Sequence, residues 1–175
     1  MHSKQKGFTL IELLVVIAII GLLSTLAVVA LTSARAKARD AKRISDIKQA
    51  QTALELYFAD QGQKYPTGAD LPLGVGTNLI LCGGTTASGF KSAATDCQAS
   101  GATTFMGKVP KDPNSPNATT ICGGTVTKDC NYKYSGTDSD TRYTIQFSLE
   151  GKSGDLAAGL NCATQDGMKS GATCP

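Results

Sequence analysis

A single carboxylate, Glu12, stands inside an apolar run that extends from Phe8 to Leu31, and the dipeptide Gly7-Phe8 lies just before it. The run is long enough to cross a bilayer. A carboxylate at mid-membrane costs on the order of 2.5 to 3.5 kcal/mol, and less near a helix end, where Glu12 sits, so a compensating cation is expected. Cutting the chain between Gly7 and Phe8 would create one, because the new α-amine is a cation about one helical turn from Glu12. A local role is the alternative: Glu12 stabilises the positive end of its own helix, by roughly 0.3 to 1 kcal/mol. That role requires no Gly-Phe junction.

The stretch from Lys6 to Leu23, KGFTLIELLVVIAIIGLL, closely resembles the amino terminus of type IV pilins and the related pseudopilins, in which a short basic leader ends in Gly and the next residue is usually Phe. The resemblance implies that a membrane aspartyl peptidase, the prepilin peptidase, removes residues 1–7 on the cytoplasmic side and methylates the amine of Phe8. It implies an assembly role for Thr9 and Glu12, with Glu12 pairing to the terminal amine of a neighbouring subunit. The implied partners are further copies of the chain, the peptidase, the pilus assembly platform proteins and, before assembly, the membrane. The implied location is the cell membrane as a single-pass precursor, then an extracellular pilus or a periplasmic pseudopilus.

Other chemistries find little support. His2, the one histidine, lies in the leader, so the mature chain lacks imidazole for a catalytic base, a metal site or a pH switch. There is no nucleophile elbow, no phosphate-binding glycine loop and no recognisable carboxylate pair, and no enzyme activity is expected. Loss of Lys4 and Lys6 with the leader leaves two fewer than the 17 basic residues against 14 acidic ones, a balance that implies no strongly charged partner. The 6 cysteines, Cys82, Cys97, Cys122, Cys130, Cys162 and Cys174, fall in Gly- and Thr-rich sequence and suggest disulfides outside the cytoplasm. A zinc site would need a Cys-x-x-Cys pair or a histidine, and neither is available. Six cysteines allow fifteen pairings; short separations favour Cys82 with Cys97, Cys122 with Cys130 and Cys162 with Cys174.

The apolar run exceeds a signal-peptide core and has no small-residue cleavage site after it, so it should stay in the mature protein. Arg35, Lys37, Arg39, Lys42, Arg43 and Lys48 follow the span, and the positive-inside rule alone would put them in the cytoplasm. The cysteines and the family resemblance place the carboxy-terminal part outside instead. From Phe8 to about Ala59 there is no proline and one glycine, Gly21, which predicts one helix roughly 80 Å long. Many pilins have a proline near the end of the apolar run; this chain has none there. In the second half Ala41, Ile44, Ile47, Leu54 and Phe58 form an apolar stripe interrupted by Gln51, and Arg35 to Lys48 reads as an opposite, solvated charged face. Contact with anionic lipid headgroups is a secondary use of that face. Asp60-Gln61-Gly62 and Tyr65-Pro66 should end the helix.

Beyond the helix, Thr67 to Cys130 is too long for a structureless loop in a compact domain and should hold short strands and disulfide-closed loops. Val109-Pro110-Lys111-Asp112-Pro113 resembles the Pro-x-Asp-Pro segment that precedes the sheet in major pseudopilins and some pilins. Tyr143, Ile145, Phe147 and Leu149 alternate with Thr144, Gln146, Ser148 and Glu150, a strand with one packed face and one wet face. Asn131 to Ser135 and Leu156 to Cys162 read as flanking strands of an antiparallel meander lying across Ile47, Leu54 and Phe58. The expected fold is therefore α+β and type IV pilin-like: one long amino-terminal helix, membrane-spanning in its first half, packed on a small antiparallel β-sheet with disulfide-stabilised loops. The expected divisions are a removed leader 1–7, a membrane and polymerisation half 8–31, an amphipathic half 32–61, and a globular β domain 62–175 that packs on 41–61.

No cofactor is expected beyond a weak calcium site. The resemblance implies one because some pseudopilins bind calcium in a loop of this region, and Asp138 and Asp140, with Asp129 or Asp166, could supply oxygen ligands. Their spacing fits no complete calcium loop, and a polar hairpin turn is the ordinary reading. Asn117-Ala118-Thr119 matches a glycosylation acceptor. The function expected first is a structural subunit of a type IV pilus for adhesion, motility or DNA uptake, favoured by the disulfides and loops. A type II secretion pseudopilin is the alternative, favoured by the Pro-x-Asp-Pro segment. A membrane-anchored module that never polymerises, for example one capturing nucleic acid on Arg35 to Lys48, is the reading from another class.

Overall fold

A computed structural model describes residues 7–84, 88–98, 102–115, 120–136, 141–171 and 174. The chain divides into two compact units, Met1–Lys37 and Ala38–Pro175. Helix α1, Leu10–Asp60, runs for 51 residues. Nothing in its sequence breaks it, since proline is absent and the lone Gly21 costs only about 1 kcal/mol relative to alanine. Its end follows from turn chemistry: Gly62 and Gln63 both take positive φ, and the Gln63 N–H bonds back to the Phe58 carbonyl at 3.0 Å.

Among the described residues eight strands follow, β1 Gly68–Pro72, β2 Ile80–Gly83, β3 Gly89–Lys91, β4 Thr103–Met106, β5 Lys133–Gly136, β6 Tyr143–Leu149, β7 Gly159–Thr164 and β8 Gly167–Ser170. They make two sheets rather than the single one expected. The larger has the order β1-β5-β6-β7-β8 and contains the expected meander β5 to β8, with β1 added antiparallel to β5. The smaller, β3-β2-β4, arises from the Gly- and Thr-rich stretch and carries Cys82 on its central strand.

The core forms where the larger sheet meets the second half of α1. Ile47, Ala50, Leu54 and Tyr57 from the helix pack with Tyr132, Tyr134, Ile145, Phe147 and Leu149. The stripe is turned relative to the expected one: Ala41 is exposed, Ile44 and Phe58 are half-buried, and Asp40, Arg43, Ile47, Ala50, Leu54 and Tyr57, spaced alternately three and four apart, line the buried side. The outer face of β6 also departs from expectation, because Ser148 is buried. The loop closed by Cys122 and Cys130 lies over it: the Ser148 hydroxyl donates to the Thr127 carbonyl, and Leu160 packs with both cysteines and Val126.

Candidate functional site

Two constellations carry most of the polar chemistry, one at the start of α1 and one around Arg43. The first is the start of α1. Thr9 is the residue before the helix, and it forms a capping box with Glu12: the Thr9 N–H and hydroxyl donate to Glu12 Oε2 at 2.8 and 2.7 Å, and the Glu12 N–H donates to Thr9 Oγ1 at 3.3 Å. Both Thr9 bonds fall on Oε2, and among the described residues no donor reaches Oε1. Glu12 thus fulfils the local role of completing its own helix terminus. Gly7 and Phe8 precede the helix in non-helical backbone and are exposed.

From Phe8 to Leu31 every large apolar side chain is exposed, Phe8 by 86%. Burying such a side chain is worth about 1.5 to 3 kcal/mol, so this surface strongly favours a lipid or protein covering. The helix is long and apolar enough to cross a membrane.

The second constellation lies at the base of the core, within the Ala38–Pro175 unit. Arg43, with its side chain 3% exposed, is gripped by three carboxylates: Nε donates to Asp112 at 2.7 Å, and Nη1 donates to Asp40 and to Glu150, each at 2.8 Å. Arg39 forms a two-pronged pair with Glu150, both bonds 2.6 Å. Asp40 in turn accepts the backbone N–H groups of Glu150 and Gly151 at 2.9 Å, and Asp46 accepts from Lys42 and from the buried Tyr132 hydroxyl. Burial by itself would lower the Arg43 pKa; the hydrogen bonds to Asp112, Glu150 and Asp40 outweigh it and hold the guanidinium charged. The Arg39 hydrogen bond, with help from Arg43, holds the Glu150 carboxyl down at about 2. Burial pushes the Tyr132 hydroxyl pKa up, and the nearby Asp46 and Asp112 charges add to it.

This cluster corrects in part the expectation that Arg35 to Lys48 is a solvated charged face. Asp40, Arg43 and Asp46 are buried, and Arg39 and Arg43 pair with Glu150 and Asp112, whereas Arg35, Lys37, Lys42 and Lys48 are exposed. Sequence reasoning equated charge with exposure and so missed Arg43. Two signals were there to find it: Asp40 to Arg43 and Lys42 to Asp46 have helical pairing intervals, and the Pro-x-Asp-Pro segment brings an aspartate with no helix of its own to serve. The segment is held tightly, since Gly74, at φ +70, packs against the backbone of Pro110 and Lys111.

The structure joins Cys82 to Cys97, Cys122 to Cys130 and Cys162 to Cys174, the pairs of short separation. The calcium candidates Asp138 and Asp140, the acceptor Asn117 and the leader residues 1–6 lie outside the described residues. Asp129 instead accepts from the Asn114 side chain, Asp166 is exposed in the β7–β8 turn, and no metal-ligating group of three or more side chains occurs among the described residues.

A family described as the prokaryotic N-terminal methylation motif matches residues 2–28. The type II secretion system core protein G of Escherichia coli (strain K12) is 47% identical over 65 residues, 37% of this chain and 44% of that protein. The core protein G of Aeromonas hydrophila is 44% identical over 64 residues, 37% of this chain and 44% of that protein. The type IV major fimbrial protein FimA of Dichelobacter nodosus is 37% identical over 81 residues, 46% of this chain and 49% of that protein. The chain thus spans less than half the length of these curated relatives. No solved structure matches it. The amino-terminal part is a prepilin-type methylation motif, and through it the chain is related to pilins and pseudopilins.

Proposed function

We propose that the chain is a structural subunit of a pseudopilus of the type II secretion kind, cut after Gly7, methylated on Phe8 and polymerised through α1. The observation that carries this reading is the pairing of the methylation motif with an apolar helix surface that none of the described residues covers. Residues 8–31 sit in the membrane before assembly and pack with like helices afterwards, and the disulfide-bonded domain faces the non-cytoplasmic side. The core protein G relatives, together with the Pro-x-Asp-Pro segment, weigh against the first preference for a surface pilus drawn from the disulfides. The FimA similarity supports a type IV pilus as the second reading. The chain serves as a building element and not as an enzyme.

Cleavage gives Glu12 a second possible partner. In the precursor its Oε2 already serves Thr9, while Oε1 stays available for an α-amine brought by a neighbouring subunit. Such a pair in an apolar setting acts on register more than on net stability. Mass spectrometry of sheared material should show a chain beginning at N-methylated Phe8. Glu12→Ala should insert normally, weaken the helix start by about 0.3 to 1 kcal/mol, and reduce polymer yield. Unchanged polymer in that variant, or a native chain still bearing its first seven residues, refutes the reading. Polymer confined to the periplasm favours the pseudopilus; polymer on the cell surface favours the pilus.

A further inference from the structure

Beyond residue 31, the large apolar side chains exposed among the described residues are Leu56 and Leu79. They lie on different surfaces, Leu79 among lysines and Leu56 between two acids. Leu79 belongs to a groove of about 900 Å³ floored by Leu79, Val109 and Pro110 and rimmed by Lys42, Lys108 and Lys111, with no acidic residue in its lining. Lys42 is paired to Asp46, whereas Lys108 and Lys111 have no ion pair among the described residues. Leu56 stands on the solvent side of α1, where Glu55 and Asp60 flank it and both are exposed; Lys48, one turn and more below, lines the same hollow as Glu55. The carboxylate of Glu55 accepts the Tyr65 hydroxyl at 2.9 Å and that of Asp60 accepts the Gln61 amide at 2.7 Å, bonds that position both acids without neutralising them.

We infer that the Glu55-Leu56-Asp60 ridge of one copy of this chain docks into the lysine-rimmed groove of a second copy. An apolar side chain between two acids meets an apolar lining among lysines, in the manner of a helix entering a groove. The match cannot be made within one chain: Lys42 and Leu56 lie on the same rigid helix fourteen residues apart, about 21 Å at 1.5 Å per residue. Knob and groove are different surfaces, so the contact is head-to-tail and leaves each copy with one unused half, which propagates an open polymer. It also places a polymer contact in the domain and not only in the apolar half of the helix. The rim lysines act on partner choice and association rate, and the Leu56 and Leu79 side chains supply the desolvated centre.

The inference rests on the subunit reading above, and the test separates the two. Isotopically heavy and light full-length chains are co-expressed in cells carrying a type II secretion assembly system, and sheared polymer is treated with a carbodiimide, which joins a touching amine and carboxylate by an amide bond with loss of water. The expected products are mixed-isotope peptides joining Lys42, Lys108 or Lys111 to Glu55 or Asp60. Reversing Lys108 and Lys111 to Glu should lower polymer yield at least tenfold, and adding Glu55→Lys and Asp60→Lys should restore at least half of it. All four positions are exposed, and protease resistance of the monomer checks that the variants fold. Mixed-isotope links that fall only elsewhere, or reversal variants with full yield, overturn the docking and leave the subunit reading standing. A wild-type chain with no mixed-isotope links and no polymer overturns both.

Discussion

Arg43→Leu probes the buried ionic centre most directly. Arg43 and Asp112 are 3% and 2% exposed at their side chains, Asp40 is 6% exposed and Glu150 30%. Removal of the guanidinium affects the three carboxylates unequally. Glu150 keeps Arg39 and contact with water, and Asp40 keeps two backbone N–H donors. Asp112 keeps only the Asn114 N–H at 2.8 Å among the described residues. It must then hold a buried charge without its partner. Breaking a buried pair from one side costs about 3 to 5 kcal/mol in general. Arg43→Leu should therefore destabilise the domain by about 3 to 5 kcal/mol. Urea unfolding of the oxidised full-length chain, followed by tyrosine fluorescence, reads the change, since Tyr132 borders the site and tryptophan is absent from the sequence. Combining it with Asp112→Leu should recover part of the loss, with a coupling of at least about 1 kcal/mol. A single-variant loss below about 1 kcal/mol, or simple additivity, would refute the claim that Asp112 depends on Arg43.

Acid should weaken the same centre through Glu150. Its folded pKa, about 2, lies below the ordinary value of 4.5, so its stabilisation is complete above that ordinary value and is lost as pH falls toward 2. The urea midpoint should drop between about pH 5 and about pH 3, and Glu150→Gln should flatten that part of the profile. Replacing Cys122 and Cys130 together by Ser should cost about 2 to 3 kcal/mol for so short a loop. It should also uncover Ser148 and Leu160 on the outer face of β6 and β7, seen as faster amide exchange there than in β5; equal exchange would show that the loop does not shield that face.

Much of this molecule is legible before folding. The Gly7-Phe8 junction, the acid at Glu12 and the proline-free apolar run are consecutive in the chain, so their chemistry needs only local geometry. The meander is legible for the same reason, because Tyr143, Ile145, Phe147 and Leu149 alternate on one strand and their partners arrive through short turns. Only the tertiary structure decides the fate of the charges between Arg35 and Lys48. Charge in a sequence reads as exposure, because an unpaired ion resists desolvation; Arg43 is buried only because Asp112 and Glu150, contributed from 69 and 107 positions away, complete its coordination. Likewise the small second sheet and the loop over Ser148 depend on disulfide closure and on the larger sheet beneath them, and neither leaves a period in the sequence that a local reading could detect.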